Sequence, residues 1–97
     1  MNHVVLIGKL LHDWHFNKTQ NDISVASNTL VTVEQRSGNE EHHELTAWGL
    51  RAEQIVNASS KGDTLTIVGK IVTSIWQNKA GLTSQTKKIH VHKFNVY

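Results

Sequence analysis

Two tryptophans stand among polar residues in segments that alternate like β-strands. Trp76 shares the polar side of its segment with Lys70 and Ser74, and Trp48 lies on the polar side of another segment. An exposed indole offers a flat apolar face on which an unpaired nucleobase can stack. The alternative is a core tryptophan, and the alternation argues against it more strongly for Trp76 than for Trp48. The pattern therefore predicts a surface that stacks bases.

Cationic residues gather in the last third of the chain. The formal net charge is +2 with histidine neutral, and no carboxylate follows Asp63. The acid-free segment contains Lys70, Lys79, Lys87, Lys88 and Lys93 together with His90 and His92. Lysines neutralise the phosphates of a nucleic-acid backbone and release its counterions. A solvated lysine-rich sheet surface is the alternative explanation, because charge alone does not separate the two.

A further aromatic group follows the first apolar segment. Trp14 and Phe16 lie among His12, His15 and Lys18, which predicts a mobile aromatic and cationic loop. Such a loop could clamp a nucleic-acid strand or cap the end of the fold, and the sequence leaves both open.

Seven histidines raise the question of a metal site. His90 and His92 share a predicted strand face, and His42 or His43 could supply a third nitrogen ligand. The chain has no cysteine, and no carboxylate stands beside these histidines on their strand, so we predict no metal and no cofactor. Exposed histidines near phosphate are the simpler explanation, and protonation around pH 6.5 would then strengthen binding by His42, His90 or His92.

Length and composition limit the function further. The 97 residues, 38% hydrophobic and 19% charged, suit a single domain over residues 1–97. There is no glycine-rich phosphate loop, no nucleophile elbow and no convincing carboxylate pair, so we predict that the protein is not an enzyme. No apolar run approaches the roughly 20 residues of a membrane span, and no signal peptide is evident, so we expect a cytoplasmic, nucleoid-associated protein without membrane contact.

The elements that must position these residues are strands and one helix. Strands are predicted at Val4–Leu11, Ile23–Val33, His42–Trp48, Thr64–Gln77 and Thr86–Val96. Helical spacing predicts a helix at Leu50–Ala58, and Asn78–Gly81 predicts a hairpin turn. The last strand's alternation slips near Phe94, which indicates a β-bulge. This order predicts an all-β OB-fold, a five-stranded Greek-key barrel with one short helix between strands three and four.

The residues themselves resemble the bacterial single-stranded DNA-binding protein family over nearly the whole chain. The segments that carry the resemblance are Met1–Leu10, Ile23–Ala26, Ala47–Glu53, Lys61–Asp63, Val68–Ile71 and Trp76–Gly81. It implies a protein that binds single-stranded DNA largely without sequence specificity, in DNA replication, recombination or repair.

The resemblance also implies roles for individual residues. Trp76 matches the family's base-stacking aromatic before the hairpin, and Trp48 matches the aromatic before the helix. Arg36 and His42 stand where the family often has further aromatics, and their planar side chains can also stack on bases. The predicted nucleic-acid-binding residues are Trp48, Trp76, Lys70, Lys79, Lys87, Lys88, Arg36, His42, Trp14 and Phe16.

Assembly is predicted from the first strand and from the resemblance. Val4–Leu11 is largely apolar toward both faces, and the family pairs this strand between subunits, which predicts a homo-oligomer, a tetramer ahead of a dimer. Taken as a whole chain ending at Tyr97, the sequence lacks the acidic tail through which the family recruits replication and repair proteins. Two explanations are then open. The tail was removed, or the protein is a tailless variant that resembles primosomal replication protein n, which is a dimeric OB-fold relative in replication restart.

Two functions outside this class remain open. A protein-interaction OB domain would bury its tryptophans in a partner contact and bind oligothymidylate weakly. A cold-shock-like module would prefer RNA, although the cluster of phenylalanines expected on its central strands is missing. Titration with oligothymidylate, oligouridylate and duplex DNA at fixed salt separates the three.

Overall fold

Six strands and one helix make up the protein in a computed structural model that describes residues 2–97. In chain order the elements are β1 (Val4–Leu10), β2 (His15–Lys18), β3 (Ser24–Val33), β4 (Glu40–Trp48), α1 (Leu50–Ala58), β5 (Thr64–Gln77) and β6 (Thr83–Val96). The nine-residue α1 is short, and no helix in this part of the chain is long and apolar enough to cross a membrane.

The strands close into a barrel. Their order in the sheet is β1-β5-β6-β4-β3-β2, and β1 also pairs with β3 through Lys9↔Val31 and Leu10↔Leu30. The β4–β6 pairing is parallel and every other pairing in the sheet is antiparallel. Five strands thus form the ring, while β2 lies outside it along β3. The predicted OB-fold, with its helix between the third and fourth barrel strands, is confirmed.

Two glycines allow the barrel strands to approach closely. Gly8 of β1 lies against the backbone carbonyl of Val31, and Gly69 of β5 lies against the backbone carbonyl of His90. A Cβ at either position would overlap the carbonyl oxygen, so a larger residue would push the strands apart. These contacts explain why each of the two strands contains a glycine in its interior.

A β-bulge interrupts the long β5–β6 hairpin beside Gly69. Val68 pairs with Lys93 while Gly69 pairs with Val91, which leaves His92 without a partner. The alternation of the last strand indicated this bulge, but the structure places it two residues earlier. A bulge bends its strand and increases its twist, which suits a strand that must turn around a small barrel.

Apolar side chains fill the barrel. The buried core consists of Leu10, Ala26, Leu30, Leu45, Ala47, Ala52, Ile55, Leu65, Ile67, Ile89 and Val91. Helix α1 contributes Ala52 and Ile55 and packs against β3, β4 and β6. Truncating a fully buried residue such as Leu45 to alanine should cost about 2–5 kcal/mol of folding stability.

Predicted and observed boundaries differ mainly at strand ends. The bounds of α1 and β5 agree with the prediction, whereas β1 ends one residue earlier, at Leu10, and β3 begins one residue later, at Ser24. Strand β4 begins at Glu40 and β6 at Thr83, two and three residues before their predicted starts. Both early starts lie in polar segments, where apolar and polar residues do not alternate. In these segments, pairing with the neighbouring strand determines where the strand begins.

The prediction of a mobile loop after β1 is wrong. His15–Lys18 forms β2 and pairs in register with Ser24–Ser27 of β3. All four residues of β2 are exposed, so they show none of the alternation between buried and exposed positions by which strands are recognised in a sequence.

Candidate nucleic-acid interface

One row of paired residues crosses the sheet from β2 to β5. It runs through His15, Ser27, Thr46, His90 and Lys70, each paired with the next. Residues opposite each other on neighbouring strands point to the same side of a sheet. The residues on either side of Thr46 in β4 are buried in the core, so the row lies on the outside of the barrel. We call this side of the sheet the outer face.

Trp48 lies on the outer face, two residues after Thr46 in β4. It is 46% exposed, and its ring centroid lies 6.4 Å from that of His90, with the ring planes tilted by 57°. The strand ends at this point, where the Gly49 N–H donates to the Ser24 carbonyl over 2.7 Å. Trp48 is thus held at a fixed place while nearly half of its surface remains open to solvent.

Lysines of β5 and β6 flank His90, the neighbour of Trp48. Lys70 pairs with His90, and Lys88 is two residues before His90 on the same side of β6. Both lysines are exposed, and neither forms an ion pair with any residue from 2 to 97. The fold therefore joins a stacking surface and two free cations on the outer face, although they come from three different strands.

His90 lies between these groups and is half-buried. Burial lowers the pKa of the His90 imidazole below its ordinary value, and the positive charges of Lys70, His92 and Lys88 lower that pKa further. The imidazole is therefore neutral at neutral pH in the free protein. The sequence singled out His90 as a metal-binding candidate and as one of three histidines that could lie near phosphate, but its closeness to Trp48 depends on the pairing of β4 with β6.

The β5–β6 hairpin carries Trp76 beyond the barrel. Trp76 pairs with Ser84 and is 52% exposed. It is six residues after Lys70 in an alternating strand, so both side chains leave β5 on the same side. The hairpin thus extends the outer face outward and places a second indole on it.

A compact turn connects β5 to β6 at the end of this hairpin. The Asn78 side-chain oxygen accepts from the backbone N–H groups of Ala80 (2.9 Å) and Leu82 (3.0 Å), as in an Asx-turn. Gly81 has a φ of 81°, a conformation that glycine adopts without strain. The predicted turn is confirmed, and Lys79 is exposed at its tip.

His42 and Lys87 lie in a groove between β4 and β6. The two strands pair only at Leu45↔Ile89 and Thr46↔His90, so they diverge toward the start of β4. The groove between them has a volume of about 270 Å³ and is lined by His42, His43, Glu44, Ile71, Lys87 and Ile89. These two predicted site residues are thus neighbours, at some distance along β4 from Trp48.

Arg36 lies in the turn between β3 and β4. The Glu34 carboxylate shapes this turn by accepting from the Ser37 hydroxyl and from the backbone N–H groups of Ser37 (2.8 Å) and Arg36 (3.2 Å). These hydrogen bonds, with the Ser37 hydroxyl contributing most, hold the pKa of the Glu34 carboxyl below its ordinary value. The Arg36 side chain is exposed at the edge of the barrel.

The two aromatics of the segment after β1 lie away from the outer face. The Trp14 indole N–H donates to the Ser59 hydroxyl over 2.9 Å, and its ring packs against the core. Phe16 pairs with the buried Ala26, so it leaves β2 on the side opposite to His15. The sequence left open whether Trp14 clamps a nucleic-acid strand or caps the end of the fold. The contacts of Trp14 with Ser59 and the core are those expected of a residue that caps the fold.

The histidines do not gather into a metal site. Within residues 2–97 no group of three His, Cys, Asp or Glu side chains is arranged to hold a metal ion. The bulge leaves His92 without a partner in β5, so the strand is irregular between His90 and His92. The His92 ring instead lies 6.3 Å from the ring of His3.

A closed OB-fold barrel with an exposed indole and free lysines on one face defines a small nucleic-acid-binding domain. The sequence comparison identifies the family. The chain belongs to the single-strand binding protein family, whose sequence profile matches residues 1–97. The resemblance seen in the sequence is therefore confirmed, and this is a family of binding proteins and not of enzymes.

Curated relatives carry names that agree with this family. The single-stranded DNA-binding protein of Streptococcus pneumoniae is 26% identical over 101 residues, which cover 99% of this chain and 65% of the relative. The protein of the same name from Clostridium tetani is 31% identical over 86 residues, covering 84% of this chain and 59% of the relative. A third, from Streptococcus mutans, is 27% identical over 101 residues, covering 99% of this chain and 62% of the relative. The chain thus spans less than two thirds of the length of these relatives.

Proposed function

We propose that this domain binds single-stranded DNA largely without sequence specificity. The observation that carries the proposal is the outer face, where the exposed ring of Trp48 lies beside His90, and His90 is flanked by Lys70 and Lys88, neither of which is ion-paired within residues 2–97. A base stacked on an aromatic ring contributes roughly 1–3 kcal/mol whatever its sequence, and each neutralised phosphate releases counterions. The names of the relatives support DNA as the ligand.

The proposed contact residues fall into three groups. Trp48, Lys70 and Lys88 form the centre of the interface. Trp76 and Lys79 extend it along the hairpin. Arg36, His42 and Lys87 are peripheral contacts at the edge of the barrel and in the groove. Trp14 and Phe16 are omitted, because Trp14 caps the core and Phe16 leaves β2 on the opposite side.

A second copy of this chain is the proposed partner of β1. Val5 and Ile7 on the outside of β1 are 65% and 60% exposed, and Val33 of β3 is also exposed. Strand β1 pairs with β3 only at Lys9 and Leu10, and Gly8 lies against Val31, so the β3-side edge is open over Val4–Ile7. An open edge with apolar side chains favours pairing with another chain. These features support a homo-oligomer, and the resemblance to the family favours a tetramer ahead of a dimer.

A function in DNA replication, recombination or repair, in the cytoplasm with the nucleoid, follows if single-stranded DNA is the ligand. Replication and repair proteins are then expected partners of the assembled complex.

Fluorescence titration tests the proposed function. We expect oligothymidylate to quench tryptophan emission and to bind more tightly than duplex DNA at the same salt concentration. Preference for oligouridylate would assign the domain to RNA. Weak binding to all three ligands would overturn the proposal and favour a protein-interaction domain.

A further inference from the structure

His90 lies where a phosphate of a bound strand would meet the outer face. A base stacked on Trp48 would bring the phosphates on either side of it to this part of the outer face. The His90 ring lies against Trp48 at 6.4 Å between centroids, and Lys70 and Lys88 flank His90 on β5 and β6. The groups around His90 that can neutralise a phosphate are therefore two ammonium groups and the imidazole itself.

The charges that face His90 are almost entirely positive. Lys70 is its partner on β5, while Lys88 and His92 lie two residues away on β6. The His92 ring in turn lies near that of His3, just before β1. At the far end of the same row, β2 contributes another histidine, His15.

The carboxylate nearest in register on the outer face is engaged elsewhere. Glu44 lies two residues before Thr46, the residue of β4 that pairs with His90. Its carboxylate accepts from the Thr29 hydroxyl on β3 over 3.0 Å, which directs it away from β6. His90 therefore has close cationic neighbours and no comparable anionic partner in the free protein.

A bound phosphate would reverse this balance. Burial and neighbouring cations both disfavour the imidazolium form, so the free His90 ring is neutral at neutral pH. An anion held against the lysines opposes their field and accepts a hydrogen bond from the imidazolium, and both effects favour the charged form.

We propose that Lys70, Lys88 and His90 form a phosphate-binding subsite beside Trp48, and that His90 takes up a proton from solvent when a DNA phosphate enters it. The proposal rests on the proposed function and adds His90 to the predicted contact residues. The proton binds the free ring nitrogen, and the resulting N–H donates to a phosphate oxygen while every covalent bond of the DNA stays intact. By linkage, affinity rises as pH falls, by at most about tenfold per pH unit for one proton.

Calorimetry measures this proton directly. Binding of oligothymidylate is recorded at one pH, just above neutral, in two buffers with different ionisation enthalpies, and the difference gives the protons taken up per protomer. We expect uptake of up to one proton by the wild-type protein and little by His90→Gln. The matched control is His12→Gln, because His12 is exposed and its hydrogen bonds to Asn28 use only its backbone atoms.

A neutral ligand separates phosphate from stacking. Oligothymidylate with a methylphosphonate backbone keeps the bases and removes the phosphate charge, so we expect the wild-type protein to bind it without proton uptake. Three results would overturn the subsite. The first is that the wild-type protein takes up no proton when it binds ordinary oligothymidylate. The others are that His90→Gln takes up as many protons as the wild-type protein, or that the wild-type protein takes up as many with the neutral backbone as with the ordinary one. Failure of the wild-type protein to bind ordinary oligothymidylate would instead overturn the proposed function.

The wild-type protein also provides a test that needs no variant. The His90 ring resonances, followed by NMR at constant pH, should move toward those of imidazolium when oligothymidylate is added. Resonances that stay at the neutral position in the saturated complex would contradict the proposal even if His90→Gln did not fold.

Discussion

The ring of His90 lies 6.4 Å from the ring of Trp48, across the short parallel pairing of β6 with β4. Only Leu45↔Ile89 and Thr46↔His90 make this pairing, yet it closes the barrel between its third and fifth strands. It also brings the lysine-rich last strand against the strand that ends in a tryptophan. The closure of the fold and the assembly of the interface therefore depend on the same contact.

Trp76→Ala should weaken binding of single-stranded DNA by about 1–3 kcal/mol and hardly change stability, because Trp76 is half exposed on a hairpin outside the core. Fluorescence titration and thermal unfolding measure the two effects. Trp76→Phe should keep much of the affinity, whereas Trp76→Lys, which adds a charge and removes the ring, should not.

Trp14→Ala provides the opposite pattern as a control. It removes a ring packed on the core and the hydrogen bond to Ser59, so folding stability should fall by up to about 3–5 kcal/mol while the folded protein still binds DNA. A Trp76→Ala protein that melts early but binds normally when folded would show that Trp76 is structural.

Lys70→Gln and Lys88→Gln should each reduce the salt dependence of binding. For single strands the log–log slope of affinity against salt is near −0.7 per phosphate contact, so each variant should lose about 0.7 of the slope. Lys18→Gln is the matched control, because the Lys18 ammonium lies 3.6 Å from Asp22 and leaves β2 on the side opposite to His15. If the affinity of the wild-type protein did not change with salt concentration, the lysines would not contact phosphates in the complex.

The sequence predicted those parts of the site that depend on local alternation. Trp48, Trp76 and Lys70 were expected on polar strand faces, and all three are exposed. The helix bounds also followed from local spacing. Strand β2 escaped prediction because its four exposed residues form a strand only through pairing with β3.

Contacts between distant segments could not be predicted in the same way. The contact of His90 with Trp48 requires the parallel pairing of β4 with β6, which no local pattern specifies. The irregular pairing at His92 likewise depends on a bulge whose position follows from the partner strand.

Acidification should destabilise the DNA-free protein in part through His90. Its pKa is lower in the folded state than the ordinary value near 6.5, so below about pH 6.5 the unfolded chain binds more protons than the folded one. The stability is fully present above that pH and is lost as pH falls toward the folded-state pKa. Melting temperatures of wild-type protein and His90→Gln, compared between neutral and mildly acidic pH, should show a smaller decrease for the variant. An identical decrease would assign the effect to other groups.

Ile7→Glu should dissociate the proposed oligomer without unfolding the barrel. Ile7 is 60% exposed on the outside of β1, so a carboxylate there remains solvated in the monomer but would be buried against a second copy of the chain. Sedimentation at micromolar concentration should give an oligomeric mass for the wild-type protein and a monomeric mass for the variant, with similar circular dichroism for both.

Leu50→Glu is the matched control for this experiment. Leu50 is 69% exposed at the start of α1, and α1 packs mainly against β3, β4 and β6. The same change of an exposed apolar residue to glutamate should therefore leave the mass unchanged. A stable wild-type dimer would favour the arrangement of primosomal replication protein n over a tetramer. A monomeric wild-type protein would overturn the proposal that a second copy of this chain covers Val5, Ile7 and Val33.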